Sequence, residues 1–251
     1  MATHKEIMED GGFTVVNKGF RYRDGNLLRI RDIDALQSLE VSESAEKADA
    51  EMKWAHCMID RCLQTDFECL MKILRLAIGD TPVASMRAIG IGNFSISKSD
   101  SAIQMAVFER IRRMLNISSC FYQEVRISQG EKKYLEQKRI NVLPADNLKH
   151  IPPILLRRSE SRLNGKHIVY MIHFDHYGFN NVFESFSEAG MLRSLICIGN
   201  AIPIDLKSAM NSQLFDMKCV PLHFRGARSG VPEALKQWNR SFAHTCLYYF
   251  E

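Results

Sequence analysis

From residue 81 onward, short apolar runs alternate with amphipathic stretches, and this alternation restricts the fold more than any other feature. Apolar runs typical of buried strands occupy residues 86–91, 120–127, 140–143, 168–172 and 195–198, and residues 243–250 are apolar enough for a last strand or a packed tail. Stretches with helical periodicity lie at 101–115, 129–139 and 180–189. Strands that alternate with helices predict an α/β fold, with a mainly parallel, Rossmann-like sheet flanked by helices.

The first 80 residues follow a different pattern. Residues 45–78 carry apolar side chains at helical spacing, and Ser42 or Ser44 can cap such a helix. Turn signals within residues 13–26 favour short β segments before it. We therefore expect a largely helical N-terminal extension over residues 1–80, followed by an α/β domain over residues 81–251.

Composition narrows the class of protein. Hydrophobic residues make up 46% of the 251 residues and the net charge is +4, so the chain can bury a core without a metal or a disulfide. The weak, scattered positive charge argues against nucleic acid as a partner. No stretch reaches the roughly 18 apolar residues of a membrane span, and the first ten residues lack a signal-peptide core. The sequence thus predicts no membrane partner.

The cysteines indicate the compartment. There are seven, and no two are spaced as Cys-x-x-Cys. An odd number of cysteines lying in apolar runs is typical of free thiols in a reducing compartment. We therefore expect a protein of the cytoplasm, and also of the nucleus. No zinc-ligand spacing is present, so the sequence identifies no metal site, and the cofactor is unknown.

Two strand ends share one five-residue pattern. Residues 89–93 and 196–200 both read Ile-x-Ile-Gly-Asn. Glycine and asparagine accept the left-handed backbone that sharp turns need. One interpretation is therefore plain turn chemistry, and the other is a pocket rim whose backbone N–H groups face an anion or a ribose.

The first of these strand ends is similar to a nucleotide-binding loop. Gly90 and Gly92 begin a Gly-x-Gly-x-x-Gly pattern, but Ser95 replaces its third glycine. The acidic residue expected about 20 positions further on is not well placed, because Glu124 is more distant along the chain. The loop is weak evidence for a dinucleotide or for S-adenosylmethionine.

The segment 173–181 gathers most of the reactive side chains. His173, Asp175 and His176 have the chemistry of metal ligands, or of a general base with its orienting carboxylate. The alternative is a polar loop in which Asn180 or Asn181 caps the following helix. A nearby basic cluster consists of Arg157, Arg158, Arg162 and Lys166. It is interpreted either as a contact for phosphate or as a solvated loop.

These strand ends predict a common site. The carboxyl ends of parallel strands meet at one edge of a sheet, where ligands bind. The predicted pocket is therefore built from three loops, and its residues are Gly90, Gly92, Asn93, His173, Asn180, Asn181, Gly199 and Asn200. No catalytic residue is assigned.

Taken in order, these motifs resemble those of the SRR-like (sensitivity to red light reduced) family. The resemblance runs from about residue 81 to the C-terminus. It rests on the loop 90–95 with Gln104 after it, on His173 with Asn180 and Asn181, and on the strand end 198–200. Two family motifs depart from the pattern: the acidic position of the second strand is Gln123, and the polar residues of the C-terminal motif are replaced.

The resemblance implies a regulatory role and no reaction chemistry. Members of the family are linked to light signalling, to circadian clock input and, in animals, to the control of haem biosynthesis. We therefore expect a regulator of biological rhythms or haem biosynthesis that has an unidentified protein or small-molecule partner. The alternative is a transferase that binds a nucleotide or S-adenosylmethionine, which requires an acidic residue at the second strand.

Overall fold

The computed structural model describes residues 44–144, 165–172, 176–201, 216–222, 241–242 and 244–250. Within these ranges the helices are α1 (Ala45–Met58), α2 (Gln64–Ile78), α3 (Asp100–Met114), α4 (Gln129–Gln137) and α5 (His176–Glu188). The strands are β1 (Val83–Ile89), β2 (Cys120–Gln123), β3 (Asn141–Leu143), β4 (Lys166–Met171), β5 (Leu195–Asn200), β6 (Met217–Pro221) and β7 (Thr245–Phe250). A π-helical turn, Ile59–Leu63, joins α1 to α2.

The predicted N-terminal helical segment is confirmed. Ser44 caps α1, because its hydroxyl accepts a hydrogen bond from the Lys47 backbone N–H at 3.4 Å. The inward face of α1 and α2 is apolar, and it belongs to the same core as the sheet: Ala48, Met52, Ala55, Phe67, Leu70, Leu74. The predicted boundary at residue 80 stays a prediction, and the β segments expected near residues 13–22 lie outside the described residues.

The described strands form one sheet in the order β3-β2-β1-β4-β5-β7-β6. The pairs β1–β2, β2–β3, β1–β4 and β4–β5 are all parallel. From β1 the chain therefore builds outward in one direction through β2 and β3, and then in the other direction through β4 and β5. This doubly wound arrangement confirms the predicted Rossmann-like α/β fold, and its switch point lies between β1 and β4.

One outer part of the sheet is antiparallel. β7 lies between β5 and β6 and is antiparallel to both, with Ile198 opposite Leu247 and Cys219 opposite Tyr248. Its residues 245–250 fall within the apolar run 243–250, so of the two interpretations of that run, a strand or a packed tail, the strand is correct. No apolar run predicted β6, because Lys218 and Pro221 are exposed and its other side chains are only partly buried.

Alternate residues of the central strands face two separate apolar layers. Met86 and Ala88 of β1 and Tyr170 of β4 face the layer that contains α1, α2 and α3. Ile89 and Met171 face the layer that contains α5. The central strands are buried on both faces, which explains why they read as continuous apolar runs in the sequence.

A polar network joins α1, α3 and α4. His56 Nε2 lies 2.8 Å from Glu109 Oε2, and Tyr134 donates its hydroxyl hydrogen to Glu109 Oε1 at 2.9 Å. Arg110 Nε donates to His56 Nδ1 at 3.2 Å, and the guanidinium pairs with Asp60 at 2.7 Å. Because Nδ1 accepts a hydrogen bond, the proton of neutral His56 lies on Nε2, from which it is donated to Glu109.

Two sequence expectations need adjustment at element boundaries. β2 ends at Gln123 and not near residue 127, because the Glu124 side chain binds backbone N–H groups beyond the strand. Lys166 begins β4 and is not part of a surface loop, and its Nζ donates to the Arg193 carbonyl at 2.9 Å. The rest of the basic cluster, Arg157, Arg158 and Arg162, lies outside the described residues.

Among the helices that are described, none combines the length and the apolar content needed to cross a membrane.

Candidate functional site

The loop after β1 leaves the sheet through two glycines with positive φ. Gly90 has φ +66° and Gly92 has φ +85°, a backbone region that residues with a Cβ rarely adopt. The Gly90 N–H still donates to the Gln123 carbonyl at 3.0 Å, so the turn begins beside the end of β2. A Cβ on Gly92 would lie 2.9 Å from Ser101 Oγ in the first turn of α3. Gly92 therefore permits both the turn and the close approach of α3.

Glu124 holds this loop from the neighbouring strand. Its Oε2 accepts a hydrogen bond from the Gly92 N–H at 2.6 Å, and its Oε1 accepts one from the Val125 N–H at 2.8 Å. The Tyr122 hydroxyl donates to the Gly92 carbonyl at 3.0 Å. Burial raises the pKa of Glu124, and the hydrogen bonds from Gly92, Val125 and Arg126 oppose that rise.

Glu124 is distant from the glycine loop along the chain but adjacent to it in space. Along the chain it lies 32 residues beyond Gly92, but β2 is the parallel neighbour of β1, so the two strands end side by side. The acidic residue at the second strand therefore exists, one position after the family's usual place. Gln123, which occupies that place, has a buried side chain that accepts a hydrogen bond from Arg87 and donates one to the Pro144 carbonyl.

A second carboxylate, that of Glu131, holds the far side of the same loop. Glu131 Oε1 accepts a hydrogen bond from the Ser95 N–H at 3.0 Å, and its Oε2 accepts one from the Ser128 N–H at 2.9 Å. The Ser128 hydroxyl in turn accepts a bond from the Glu131 N–H, which completes a capping box at the start of α4. Burial raises the pKa of Glu131, and these backbone N–H groups oppose the rise.

Asn93 closes the loop on itself. Its Oδ1 accepts hydrogen bonds from the Ser95 N–H at 3.0 Å and from the Ser95 hydroxyl at 2.7 Å. The N–H groups of Gly92 and Ser95 are thus bound to protein oxygens. The interpretation of this loop as a rim with N–H groups free for an anion is therefore wrong at these two positions, because carboxylates of the protein occupy them.

Asn180 and Asn181 lie inside α5 and not ahead of it. The helix begins at His176, one turn earlier than the expected start at residue 180, so neither asparagine is its N-cap. Both side chains are half-buried, whereas the neighbouring Phe179 and Val182 are buried. His173 and Asp175 lie outside the described residues.

Gly199 and Asn200 are the last two residues of β5 and not a loop. Gly199 pairs with Cys246 and Asn200 with Thr245. A Cβ on Gly199 would lie 2.2 Å from Phe179 Cζ and 3.1 Å from the Met171 carbonyl oxygen. Glycine is needed here because the ring of Phe179 packs directly on the backbone, and no positive φ is involved.

The described parts of the three predicted segments lie at one edge of the sheet. β4 separates β1 from β5, so the ends of β1 and β5 are about 10 Å apart across it. Phe179 brings the first turns of α5 onto the end of β5. The edge therefore gathers the described residues of the predicted pocket, and their binding of a ligand stays a prediction.

Two buried oxygen atoms near this edge have no hydrogen-bond partner. They are Oε1 of Gln104 in α3 and Oγ1 of Thr245 at the start of β7, and both side chains are at most 2% exposed. Gln104 Nε2 donates to the Ser241 carbonyl at 2.7 Å, and the Thr245 N–H donates to the Phe242 carbonyl at 3.2 Å. The two oxygens thus flank the same C-terminal turn.

Sequence reasoning missed the roles of three residues. The capping-box spacing from Ser128 to Glu131 was a usable signal for Glu131. Glu124 directly follows an apolar strand, which was the signal for its place at the edge. Gln104 had no signal apart from its place in the family motif. Among the described residues, no group of three or more His, Cys, Asp and Glu side chains could hold a metal ion.

Comparison with known proteins gives one family and one distant structure. No curated protein matches the chain in sequence. The crystal structure of geranyl diphosphate C-methyltransferase from Streptomyces coelicolor A3(2), in complex with Mg²⁺, geranyl-S-thiolodiphosphate and S-adenosyl-L-homocysteine, aligns with a TM-score of 0.32 and 10% identity. The alignment covers 72% of this chain and 73% of that one, and it is too distant to bear on activity. The SRR1 domain matches residues 59–249, and the chain therefore belongs to the SRR1 domain family.

Proposed function

We propose that this chain is a regulatory protein whose SRR1 domain binds a nucleoside-type small molecule at the carboxyl edge of its sheet. One observation carries the proposal: the carboxylate of Glu124 lies 2.6 Å from the Gly92 N–H, at the ends of β2 and β1. A glycine loop after the first strand with an acidic residue at the second is the arrangement that holds a ribose in Rossmann-like domains.

The position of this pair in the sheet supports the proposal. The loop that contains Gly92 follows β1, and the strand order reverses between β1 and β4. Open α/β sheets bind their ligands in the crevice outside the strands at such a switch point. The described part of the predicted pocket, from Gly90 to Asn200, lies along this edge.

The regulatory part of the proposal follows from family membership and resemblance. SRR-like proteins are linked to clock input, light-type signalling and control of haem biosynthesis, and we assign this chain to the same kind of role. In that role the bound molecule acts as a signal, and its occupancy changes the affinity of the domain for a partner.

Differential scanning fluorimetry with S-adenosylmethionine, NAD and haem tests the proposal. A ligand that binds only the folded protein raises the unfolding temperature, by an amount set by its concentration relative to Kd. We expect a rise with one nucleoside-containing compound, reduced in Glu124→Gln and retained in full in Glu136→Gln. Glu136 is exposed on α4 and is the matched control. A ligand-induced rise that Glu124→Gln leaves unchanged contradicts this site.

A transferase is the second candidate, and the placement of Glu124 favours it. The structure has the acidic residue at the second strand that such an enzyme needs. The two candidates differ in turnover: a sensor leaves S-adenosylmethionine intact, whereas a methyltransferase converts it to S-adenosylhomocysteine. Mass spectrometry of S-adenosylmethionine incubated with the protein and a small-molecule cell extract separates them, with Glu124→Gln as the site-directed control.

A further inference from the structure

The loop after β1 presents negative charge where phosphate-binding loops present N–H groups. In those loops the backbone N–H groups and the following helix N-terminus point at the phosphate. Here the Gly92 N–H is bound by Glu124 and the Ser95 N–H by Glu131, at 2.6 and 3.0 Å. A phosphate at this loop would lose those donors and would face two carboxylates.

From this arrangement we infer that the ligand is a nucleoside without a phosphate group, bound through its hydroxyl or ammonium donors, and that Glu124 and Glu131 exclude phosphorylated nucleotides. The inference rests on the proposed function, since it names the ligand class of the same site.

The unused hydrogen-bonding capacity of Glu124 also favours a ligand that donates hydrogen bonds. A carboxylate offers about four acceptor positions, and Glu124 receives backbone hydrogen bonds from Gly92, Val125 and Arg126. A ribose hydroxyl can therefore still donate to it. An ionised phosphate group, which only accepts hydrogen bonds, cannot use this remaining capacity.

The expected discrimination is large enough to measure. Two unit charges about 5 Å apart in a medium of effective dielectric constant near 20 interact strongly enough to change an equilibrium constant by about 100-fold. Salt screens part of this repulsion, since the Debye length is about 8 Å at 0.15 M ionic strength. We therefore expect at least about a 10-fold preference for the unphosphorylated ligand.

Isothermal titration calorimetry with a fixed set of probes tests the inference. The unphosphorylated probes are adenosine, S-adenosylmethionine and S-adenosylhomocysteine, and the phosphorylated probes are AMP, ATP and NAD. We expect the tightest unphosphorylated probe to bind at least about 10-fold more tightly than AMP, and the ratio to shrink as salt is added. Equal or tighter binding of AMP or NAD overturns the inference.

The variant Glu124→Gln removes the charge and keeps an oxygen that can accept the Gly92 N–H. We expect the preference over AMP to fall by about 10-fold in this variant and to be unchanged in Glu136→Gln. If Glu124→Gln does not fold, 2′-deoxyadenosine with the unaltered protein gives the second measurement. It lacks one ribose hydroxyl, and its binding as tightly as adenosine at every salt concentration overturns the role given to the ribose.

The outcomes separate the two proposals. Tight binding of phosphorylated nucleotides overturns the ligand class and leaves the proposed function standing. An absence of binding by every nucleoside, nucleotide and haem probe overturns the proposed function, and the ligand class falls with it.

Discussion

The five-residue pattern Ile-x-Ile-Gly-Asn starts at the last residue of β1 and, in its second copy, ends β5, yet glycine serves a different purpose at each place. After β1 the chain turns out of the sheet at Gly90 and Gly92, both with positive φ. At the end of β5 the chain stays in the sheet, and Gly199 leaves room for the ring of Phe179. Gly90 and Gly92 are needed for the backbone conformation, whereas Gly199 is needed for the packing of Phe179.

The surroundings of the two segments differ in the same way. The β1 loop is held by polar groups, the carboxylates of Glu124 and Glu131. The end of β5 is held by its antiparallel partner β7 and by an aromatic ring. Identical sequence patterns therefore define a polar site in one case and a packed strand end in the other, and the neighbours decide which.

The largest expected effect is at the packed glycine. Gly199→Ala places a methyl carbon 2.2 Å from Phe179 Cζ, so we expect a loss of about 3 kcal/mol in the free energy of unfolding. Urea denaturation measures it. Phe179→Leu in the Gly199→Ala background should recover part of the loss, because it removes the overlapping atoms. A loss below about 0.5 kcal/mol for Gly199→Ala would show that Phe179 does not pack as described.

Gly92→Ala is expected to cost about 2 kcal/mol, because it combines a strained φ with a contact 2.9 Å from Ser101 Oγ. Gly190→Ala is the matched control, since Gly190 has φ +67° and no atom lies within 4 Å of the position that its new methyl group would take. The control should cost about 1 kcal/mol, the strain alone. Equal losses at the two positions would mean that the approach of α3 adds nothing. Urea denaturation of both variants measures the difference.

The acid-held loop should respond to pH in a way that the end of β5 does not. The pKa of Glu131 is raised in the folded state, so the stability linked to its protonated form is full below the unfolded pKa of 4.5. It is lost as pH rises through the folded pKa. Relative to Glu131→Gln, the unaltered protein should therefore lose stability as the pH rises from 4 to above the folded pKa of Glu131.

Urea denaturation of both proteins across that range gives the difference directly. The new amide of Glu131→Gln also places a donor near the Ser95 or Ser128 N–H. The resulting loss of stability in the variant does not depend on pH. A difference in stability that stays flat, or that changes in the opposite sense, contradicts the raised pKa.

The smallest effect is expected at Asn93. Asn93→Ala removes the oxygen that accepts from the Ser95 N–H and hydroxyl, but the Ser95 N–H keeps its bond to Glu131. We expect a loss of about 0.5 kcal/mol, whereas Asn93→Asp keeps the accepting oxygen. Thermal unfolding of both variants measures it, and a loss above about 2 kcal/mol for Asn93→Ala would give the asparagine a larger role than its two hydrogen bonds to Ser95 allow.

Much of the fold could be predicted because the central strands are buried on both faces. The runs at 86–91, 168–172 and 195–198 stand out for that reason, and the helices between them have clear apolar faces. β6 could not be predicted in this way, since its exposed Lys218 and Pro221 leave no apolar run. The predicted start of α5 was one turn too late, because its asparagines were interpreted as N-cap candidates and such side chains also occur within helices.

The site was harder to predict because its partners come from different strands. Gly92 and Glu124 are adjacent through the pairing of β1 with β2, and separation along the chain does not report this. Likewise, the Ile-Gly-Asn pattern carries no sign that Phe179 lies over Gly199. Both facts depend on the packing of elements far apart in sequence.

The position of β7 has a consequence for synthesis of the chain. β7 lies between β5 and β6, although residues 245–250 follow both of them in sequence. As the polypeptide leaves the ribosome, β6 has no neighbour to pair with until β7 has emerged, whereas β1 through β5 can already associate. We therefore expect a nascent chain with a formed parallel half and an unpaired edge on β5, a state in which a chaperone is most needed.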